Sequence, residues 1–242
     1  MVLKTLPDLS SDIIHVWIAD IQKAMAQAEY FLSILSEDEK KKATDYKFEK
    51  DKNRYLISRG LLRELVSGYT GDLPENVEFS YSQTGKPFLS EYKNCTLKFN
   101  LSHSGNFAIY AFALGKEIGI DIEYIRNLEN LNNLAKTALS DLELKDFTAS
   151  PEEKMLDVFF RYWIHKEAYL KAAGTGITDS IKSIEFIHGN GGKLNLAEKE
   201  CSDLNLNWNF HEIIPGKNYK AVLAVPDENC RIFINRLEDY YI

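Results

Sequence analysis

Strand-like and helical segments share this chain in an order that excludes regular alternation. Runs with strand character fall at "HVWIA", "VEFSYS", "LKFNLS", "FAIYAFAL" and "EIGIDIEYI", and again at "SIEFI", "WNFHEII", "YKAVLAV" and "RIFIN". Helical patterns fill residues 20–33, 36–68, 130–138 and 152–173. A doubly wound parallel sheet needs a helix between successive strands, so this clustering points to an α+β fold instead. Ser36 ahead of "EDE", with Glu39 at the capping-box position, marks one helix start. Ser150, with Pro151 at the first helical position and Glu153 three residues on, marks another. "GNGGK" at 189–193 reads as a hairpin turn, because no helical pattern follows it. The junction "LGKE", 114–117, is the expected boundary between residues 1–115 and 116–242, with no repeat visible by eye.

With 242 residues, 45% hydrophobic and 27% charged, the chain has the make-up of a globular protein with a sizeable core. The N-terminal "MVLKTLPDLSSDIIHVWIAD" has no long apolar region, and no later stretch approaches the roughly 20 apolar residues of a membrane span. A cytoplasmic protein with no membrane partner is expected. Cys95, Cys201 and Cys230 are odd in number and far apart, which suggests reduced, packed thiols. The net charge of −7 argues against general nucleic-acid binding. Locally, "KKKATDYKFEKDKNRYLISRGLLREL" concentrates lysines and arginines, and fits either a solvated helix face or an anion site.

In "EIGIDIEYI" the side chains alternate: Ile118, Ile120 and Ile122 point one way, Asp121 and Glu123 the other. The two carboxylates then lie about 7 Å apart along one strand face. Such a pair is either exposed to water or part of a site completed by another oxygen ligand, as a hard divalent cation requires. Residues 152–173 offer that ligand. At about 100° per residue, Phe160, Trp163, Glu167 and Lys171 form one stripe, so Glu167 continues a buried apolar face. A buried carboxylate needs a base, a metal or a strong donor beside it. Lys171, one turn on, fits a plain helix pair equally well. "NLSHSG", 100–105, sets Ser102, His103 and Ser104 at a strand end, where they suit an anion or a local turn. "TGKPFL", 84–89, adds Lys86 in a Gly/Pro turn. His15, His165, His188 and His211 lack metal-ligand spacing and read as structural or surface residues.

Taken together, "TGKPFL", "FNLSHSG", "IGIDIE" and "WIHKEAYLKAAGTGI", in this order, resemble the Sfp-type 4'-phosphopantetheinyl transferases. The resemblance implies two similar α/β halves about a pseudo-twofold axis, with coenzyme A in the cleft between them. It implies that Asp121, Glu123 and Glu167 hold Mg²⁺ on the coenzyme A pyrophosphate. Lys171 would neutralise the leaving diphosphate side, with Glu167 as the candidate base. Ser102, His103, Lys86, Arg54 and Lys166 would bind the coenzyme A phosphates. Lys42 is a further carry-over, although a gapless register places Glu39 where a basic residue is expected. The implied partner is an acyl- or peptidyl-carrier protein, and the implied working unit is a monomer. Two alternatives remain at this point: a Mg²⁺-dependent coenzyme A phosphodiesterase or pyrophosphatase, and a non-catalytic coenzyme A binding protein.

Overall fold

Strands that are apolar on both faces must be covered on both. The structure, a computed structural model describing residues 5–89, 96–174, 181–197, 207–226 and 229–240, covers them with four layers. Cys95, Cys201 and residues 175–177 of the "GTGI" segment lie outside the described residues. The first half runs β1 (Ile13–Asp20), the short helices α1 (Ile21–Ala24) and α2 (Ala28–Ile34), then α3 (Glu37–Thr44) and the long α4 (Glu49–Thr70). A small hairpin of β2 (Phe79–Tyr81) and β3 (Pro87–Leu89) follows, then a long hairpin of β4 (Leu97–Ser104) and β5 (Phe107–Leu114).

The second half repeats that order. β6 (Gly119–Tyr124) leads to α5 (Leu131–Ala138), α6 (Asp141–Ala149) and the long α7 (Glu152–Ala173). A small hairpin of β7 (Phe186–His188) and β8 (Leu194–Leu196) precedes β9 (Asn209–Ile213) and β10 (Tyr219–Val225). The sheets match as well: β1-β5-β4 in one corresponds to β6-β10-β9 in the other, with every one of these pairings antiparallel. The last strand, β11 (Arg231–Arg236), departs from the expected boundary. It pairs in parallel with β1, Ile13 opposite Arg231, so residues 231–236 belong to the first sheet and not to a closed 116–242 unit.

The alternation of side chains builds the layers. Ile14, Val16 and Ile18 of β1 join Ile120 and Ile122 of β6 in an apolar cluster between the two sheets. The opposite faces each pack on their own long helix: Trp17 and Tyr110 on Leu61 and Leu65, Val222 and Ala224 on Ile164 and Ala168. Among the described residues no helix is long and apolar enough to cross a membrane.

The duplication extends to single side chains. Ser36 with Glu39 caps α3, and Ser140 with Glu143 caps α6, each as a full capping box. In both, the glutamate also turns inward and meets a base on the fifteenth residue of the following 22-residue helix. Glu39 Oε2 accepts from Arg63 at 2.7 Å, and Glu143 Oε2 pairs with Lys166 at 2.6 Å. Both long helices end on a left-handed glycine, Gly71 at φ 76° and Gly174 at φ 74°.

Several local expectations are corrected. Residues 20–33 and 36–68 are each broken, the latter by a turn at 45–48 whose "TDYKF" residues are modest helix formers. Helix α6 and the three-residue strands β3 and β8 were not anticipated. Ser150 does not cap α7; its hydroxyl donates to Asp146 O at 2.9 Å and finishes α6 instead. "GNGGK" does turn a hairpin, between β7 and β8.

The buried pairs make a direct test. Glu143→Ala leaves the Lys166 charge without its counter-ion in a fully buried site. It is expected to cost about 3–5 kcal/mol in urea unfolding, while Glu143→Leu combined with Lys166→Met recovers most of that loss.

Candidate active site

The site begins with a close approach. A Cβ on Gly119 would lie 2.0 Å from Ala168 O and 2.4 Å from Ala172 N, so only glycine lets α7 lie this near β6. That face of β6 carries Asp121 and Glu123, and the facing side of α7 carries Glu167 and Lys171. Asp121 is 4% exposed and Glu123 partly buried, which removes the exposed-pair reading of the D-x-E, and Glu167 is 5% exposed. Lys171 does not close a helix pair with Glu167. Its Nζ donates to Asp121 Oδ1 at 2.6 Å and to Ser102 Oγ at 2.9 Å, and Ser102 Oγ itself donates to Asp121 Oδ1 at 2.8 Å.

The other carboxylate oxygens are left without donors. Asp121 Oδ2 and Glu167 Oε1 are buried and have no hydrogen-bond partner among the described residues. Burial, then repulsion from Asp121, pushes the Glu167 pKa up to about 7; Lys171 opposes this and Glu123 adds to it. Glu123 is raised by burial and then by Asp121, while hydrogen bonds from Ser104 and Trp163 act the other way. The three acids therefore feel one another across a shared space.

Strand β4 supports them from the other half. Asn100 Oδ1 accepts from Ile120 N at 2.8 Å, Ser102 holds Asp121, and Ser104 Oγ donates to Glu123 Oε2 at 2.8 Å while accepting from Tyr124 N at 3.1 Å. Asn100 was missed from the sequence, while Ser104 and Trp163 were singled out there for an anion or turn and for a buried stripe, not as partners of Glu123. The signal was there as N-x-S-x-S, polar residues at period two on an otherwise apolar strand. His103 falls on the opposite face of β4 and stays exposed. Its side chain is open to solvent, yet the protein packed around the ring desolvates it, and this, then the Arg54 charge, lowers its pKa below the usual imidazole value. Arg54 lies beside it, its Nε donating to Gly105 O at 3.3 Å and its Nη1 to Asp51 Oδ1 at 2.9 Å.

The remaining expected phosphate ligands separate. Lys42 stands exposed on α3 with its Nζ 5.7 Å from the centre of the Tyr55 ring. Lys86 is committed to backbone and to Glu117, donating to Lys171 O at 2.7 Å and Ile118 O at 3.4 Å with Glu117 Oε2 at 3.6 Å. It bolts the small first-half hairpin to the end of α7, next to a cavity of about 900 Å³ that Ala172, Ala173 and Gly174 also line. Lys166 is the clear correction. It is wholly buried, pairs with Glu143, and donates to Ala138 O at 2.8 Å and Ile181 O at 3.1 Å, so its three N–H groups are taken. Glu39 likewise faces Arg59 and Arg63 and not a cleft. The other histidines serve elsewhere: His15 bonds Tyr69, His165 bonds Arg161 O, and His188 bonds Asp146.

Among the described residues no group of three or more His, Cys, Asp or Glu is arranged so that it could hold a metal ion. What the acids offer is donor chemistry. Two buried oxygens without donors, beside a third carboxylate, suit a hard cation that takes its remaining ligands from water and phosphate.

Comparison with known proteins decides the family. The pattern described as "4'-phosphopantetheinyl transferase, N-terminal" matches residues 22–114, and that of the "4'-phosphopantetheinyl transferase superfamily" matches residues 117–224. The 4'-phosphopantetheinyl transferase HetI of Nostoc sp. (strain PCC 7120) is 36% identical over 90% of this chain and 89% of its own. The chain is an Sfp-type member of the 4'-phosphopantetheinyl transferase superfamily. Sfp of Bacillus subtilis (strain 168) is 28% identical, over 82% of this chain and 86% of that protein. The L-aminoadipate-semialdehyde dehydrogenase-phosphopantetheinyl transferase of Xenopus laevis is 25% identical, over 83% and 72%.

Among the described residues of this transferase, the three-carboxylate cluster of the second half is not repeated in the first. Glu64 is the sixteenth residue of α4, as Glu167 is of α7, and it too is buried with a pKa raised first by burial. On β1, however, Trp17 and Ala19 occupy the helix-facing positions that Asp121 and Glu123 hold on β6, and Tyr30 donates to Glu64. Gly119→Ala should lower the unfolding midpoint by an amount equivalent to about 1–3 kcal/mol of overpacking. Turnover of coenzyme A should fall further than stability does, since the displaced helix carries Glu167 and Lys171; thermal melts and initial rates measured together check this.

Proposed function

We propose that this chain transfers 4'-phosphopantetheine from coenzyme A to a serine hydroxyl of an acyl- or peptidyl-carrier protein, with Mg²⁺ held by Asp121, Glu123 and Glu167. The observation that carries this reading is the pair of buried, donorless oxygens on Asp121 and Glu167, coupled to Glu123 and flanked by Lys171. Family membership supplies the reaction class. The carrier serine oxygen attacks the pantetheine-side phosphorus, the bond from that phosphorus to the bridging diphosphate oxygen breaks, and 3',5'-ADP leaves. Such chemistry rests mainly on positioning and charge neutralisation.

Mg²⁺, when bound, supplies charge neutralisation at the phosphoryl oxygens. The Lys171 ammonium, fixed by Asp121 and Ser102, would balance charge on the leaving diphosphate side. The serine proton needs an acceptor near neutral pH, and Glu167, with its raised pKa, is the candidate. Arg54 and His103, adjacent at the β4–β5 turn, are proposed for the 3'-phosphate. Both walls of the site come from one chain, β4 from the first half and β6 with α7 from the second. That supports a monomer as the working unit, and a cytoplasmic location goes with it as part of this proposal.

Mass spectrometry of apo carriers incubated with the protein, coenzyme A and Mg²⁺ should show a gain of about 340 Da, the phosphopantetheine mass. Asp121→Ala and Glu167→Ala should abolish it, and Lys171→Met should lower kcat about 10²–10³-fold. Release of 3',5'-ADP at full rate without any carrier would instead assign a coenzyme A pyrophosphatase. Near-full activity in Glu167→Gln would remove Glu167 as the base. Arg54→Ala should raise the KM for coenzyme A about tenfold, the loss of one partly buried charge-assisted contact, and leave dephospho-coenzyme A little affected.

A further inference from the structure

Strands β4 and β6 are the edges of two different sheets, and they meet without a shared backbone ladder. Their contact is made by side chains at period two: Asn100 to Ile120 N, Ser102 to Asp121, and Ser104 to Glu123 and Tyr124 N. One of these links is built to orient a carboxylate. A serine hydroxyl has a single proton. At Ser104 the Tyr124 N–H occupies a lone pair from one side, at 3.1 Å, so the proton is left for Glu123 Oε2 at 2.8 Å.

Glu123 needs such a hold. Asp121 and Glu167 both repel it, and Glu123 is only partly buried, so water is open to it as an escape. Trp163, on α7, interacts with the same carboxylate and lowers its pKa. Glu123 thus meets groups from both halves, Ser104 of β4 and Trp163 of α7.

We propose that Ser104 is a positioning residue for the divalent cation: its hydroxyl, delivered from the first half of the chain, keeps the Glu123 carboxylate turned toward Asp121 and Glu167. This rests on the cation assignment made above. Ser104 bonds neither Asp121 nor Lys171, whereas Ser102 bonds both, so Ser104 isolates the orienting role. Partners of this kind are worth about 10–100-fold in metal affinity.

Mn²⁺ binding, followed by electron paramagnetic resonance on protein saturated with coenzyme A and free of carrier, gives a readout apart from turnover. Ser104→Ala should weaken Mn²⁺ binding about tenfold or more, the lower end of that range. In turnover it should raise the apparent KM for Mg²⁺ while leaving kcat at saturating Mg²⁺ within about threefold of wild type, as expected for lost ground-state binding. Ser104→Thr, which keeps the hydroxyl and suits a strand, should restore affinity. Wild-type Mn²⁺ affinity in Ser104→Ala, with affinity lost in Asp121→Ala, overturns the proposal and leaves the cation assignment standing. Unchanged affinity in Asp121→Ala overturns both. If Ser104→Ala loses its fold, or if Ser104→Thr fails to restore binding, the role is structural and the proposal is wrong.

Discussion

Everything at the centre of this protein follows from placing three carboxylates against one another in a space that water reaches poorly. Left alone, such a cluster would take up protons or splay apart. The fold prevents splaying by mechanical means: Gly119 brings α7 down on β6, and the two helical turns from Trp163 to Lys171 then present their polar side to Asp121 and Glu123. Lys171 and Ser102 neutralise one oxygen of Asp121, and Ser104 satisfies one oxygen of Glu123. What is left donorless, Asp121 Oδ2 and Glu167 Oε1, is the part of the cluster that protein groups do not stabilise. An arrangement that meets some of its polar groups and withholds donors from others is costly as structure and sensible as a receptor for positive charge.

Duplication explains how so demanding a site is supported. Each half brings the same skeleton, with a capping-box glutamate turned onto a base of the long helix and a sheet of matching order. Those pairs fix the position of α3 on α4 and of α6 on α7. In the first half Trp17 and Ala19 convert the helix-facing side of β1 to packing, and Glu64 is satisfied by Tyr30. Freed from that chemistry, the first half lends its edge strand β4 to the second, and β11 covers the other edge of its sheet.

The legible parts of the sequence were those governed by period and by motif. Alternation in "EIGIDIEYI" separated Asp121 and Glu123 from the three isoleucines as the structure does, and the stripe through Phe160 placed Glu167 on a buried face. The misses have physical causes. Lys166 sits next to Glu167 in sequence but about 100° around the helix, facing α6, so a motif that includes it says nothing about where its charge points. Lys86 satisfies carbonyls at the end of α7, a partner more than eighty residues away that no local pattern reveals. The internal repeat escaped notice because it is conserved as geometry, Ser-x-x-Glu to a base on the fifteenth helical residue, with Arg63 in one copy and Lys166 in the other.

The basic stretch from Lys40 to Arg63 shows why charge alone could not settle its role. Its two sequence-level readings, a solvated face or an anion site, each describe part of it, and a third use takes the rest. Lys41 and Lys42 are exposed. Arg54 reaches the turn at Gly105 beside His103. Arg59 and Arg63 are buried and share Glu39 as their ion-pair partner, at 3.0 and 2.7 Å, with Arg63 also donating to Pro74 O and Val77 O. A base that must cross into a low-dielectric interior cannot also bind a phosphate outside it, because desolvation is offset only by a partner held within contact distance. Burial thus sorts a run of like charges that composition presents as uniform, and leaves Arg54 where this run meets the β4–β5 turn.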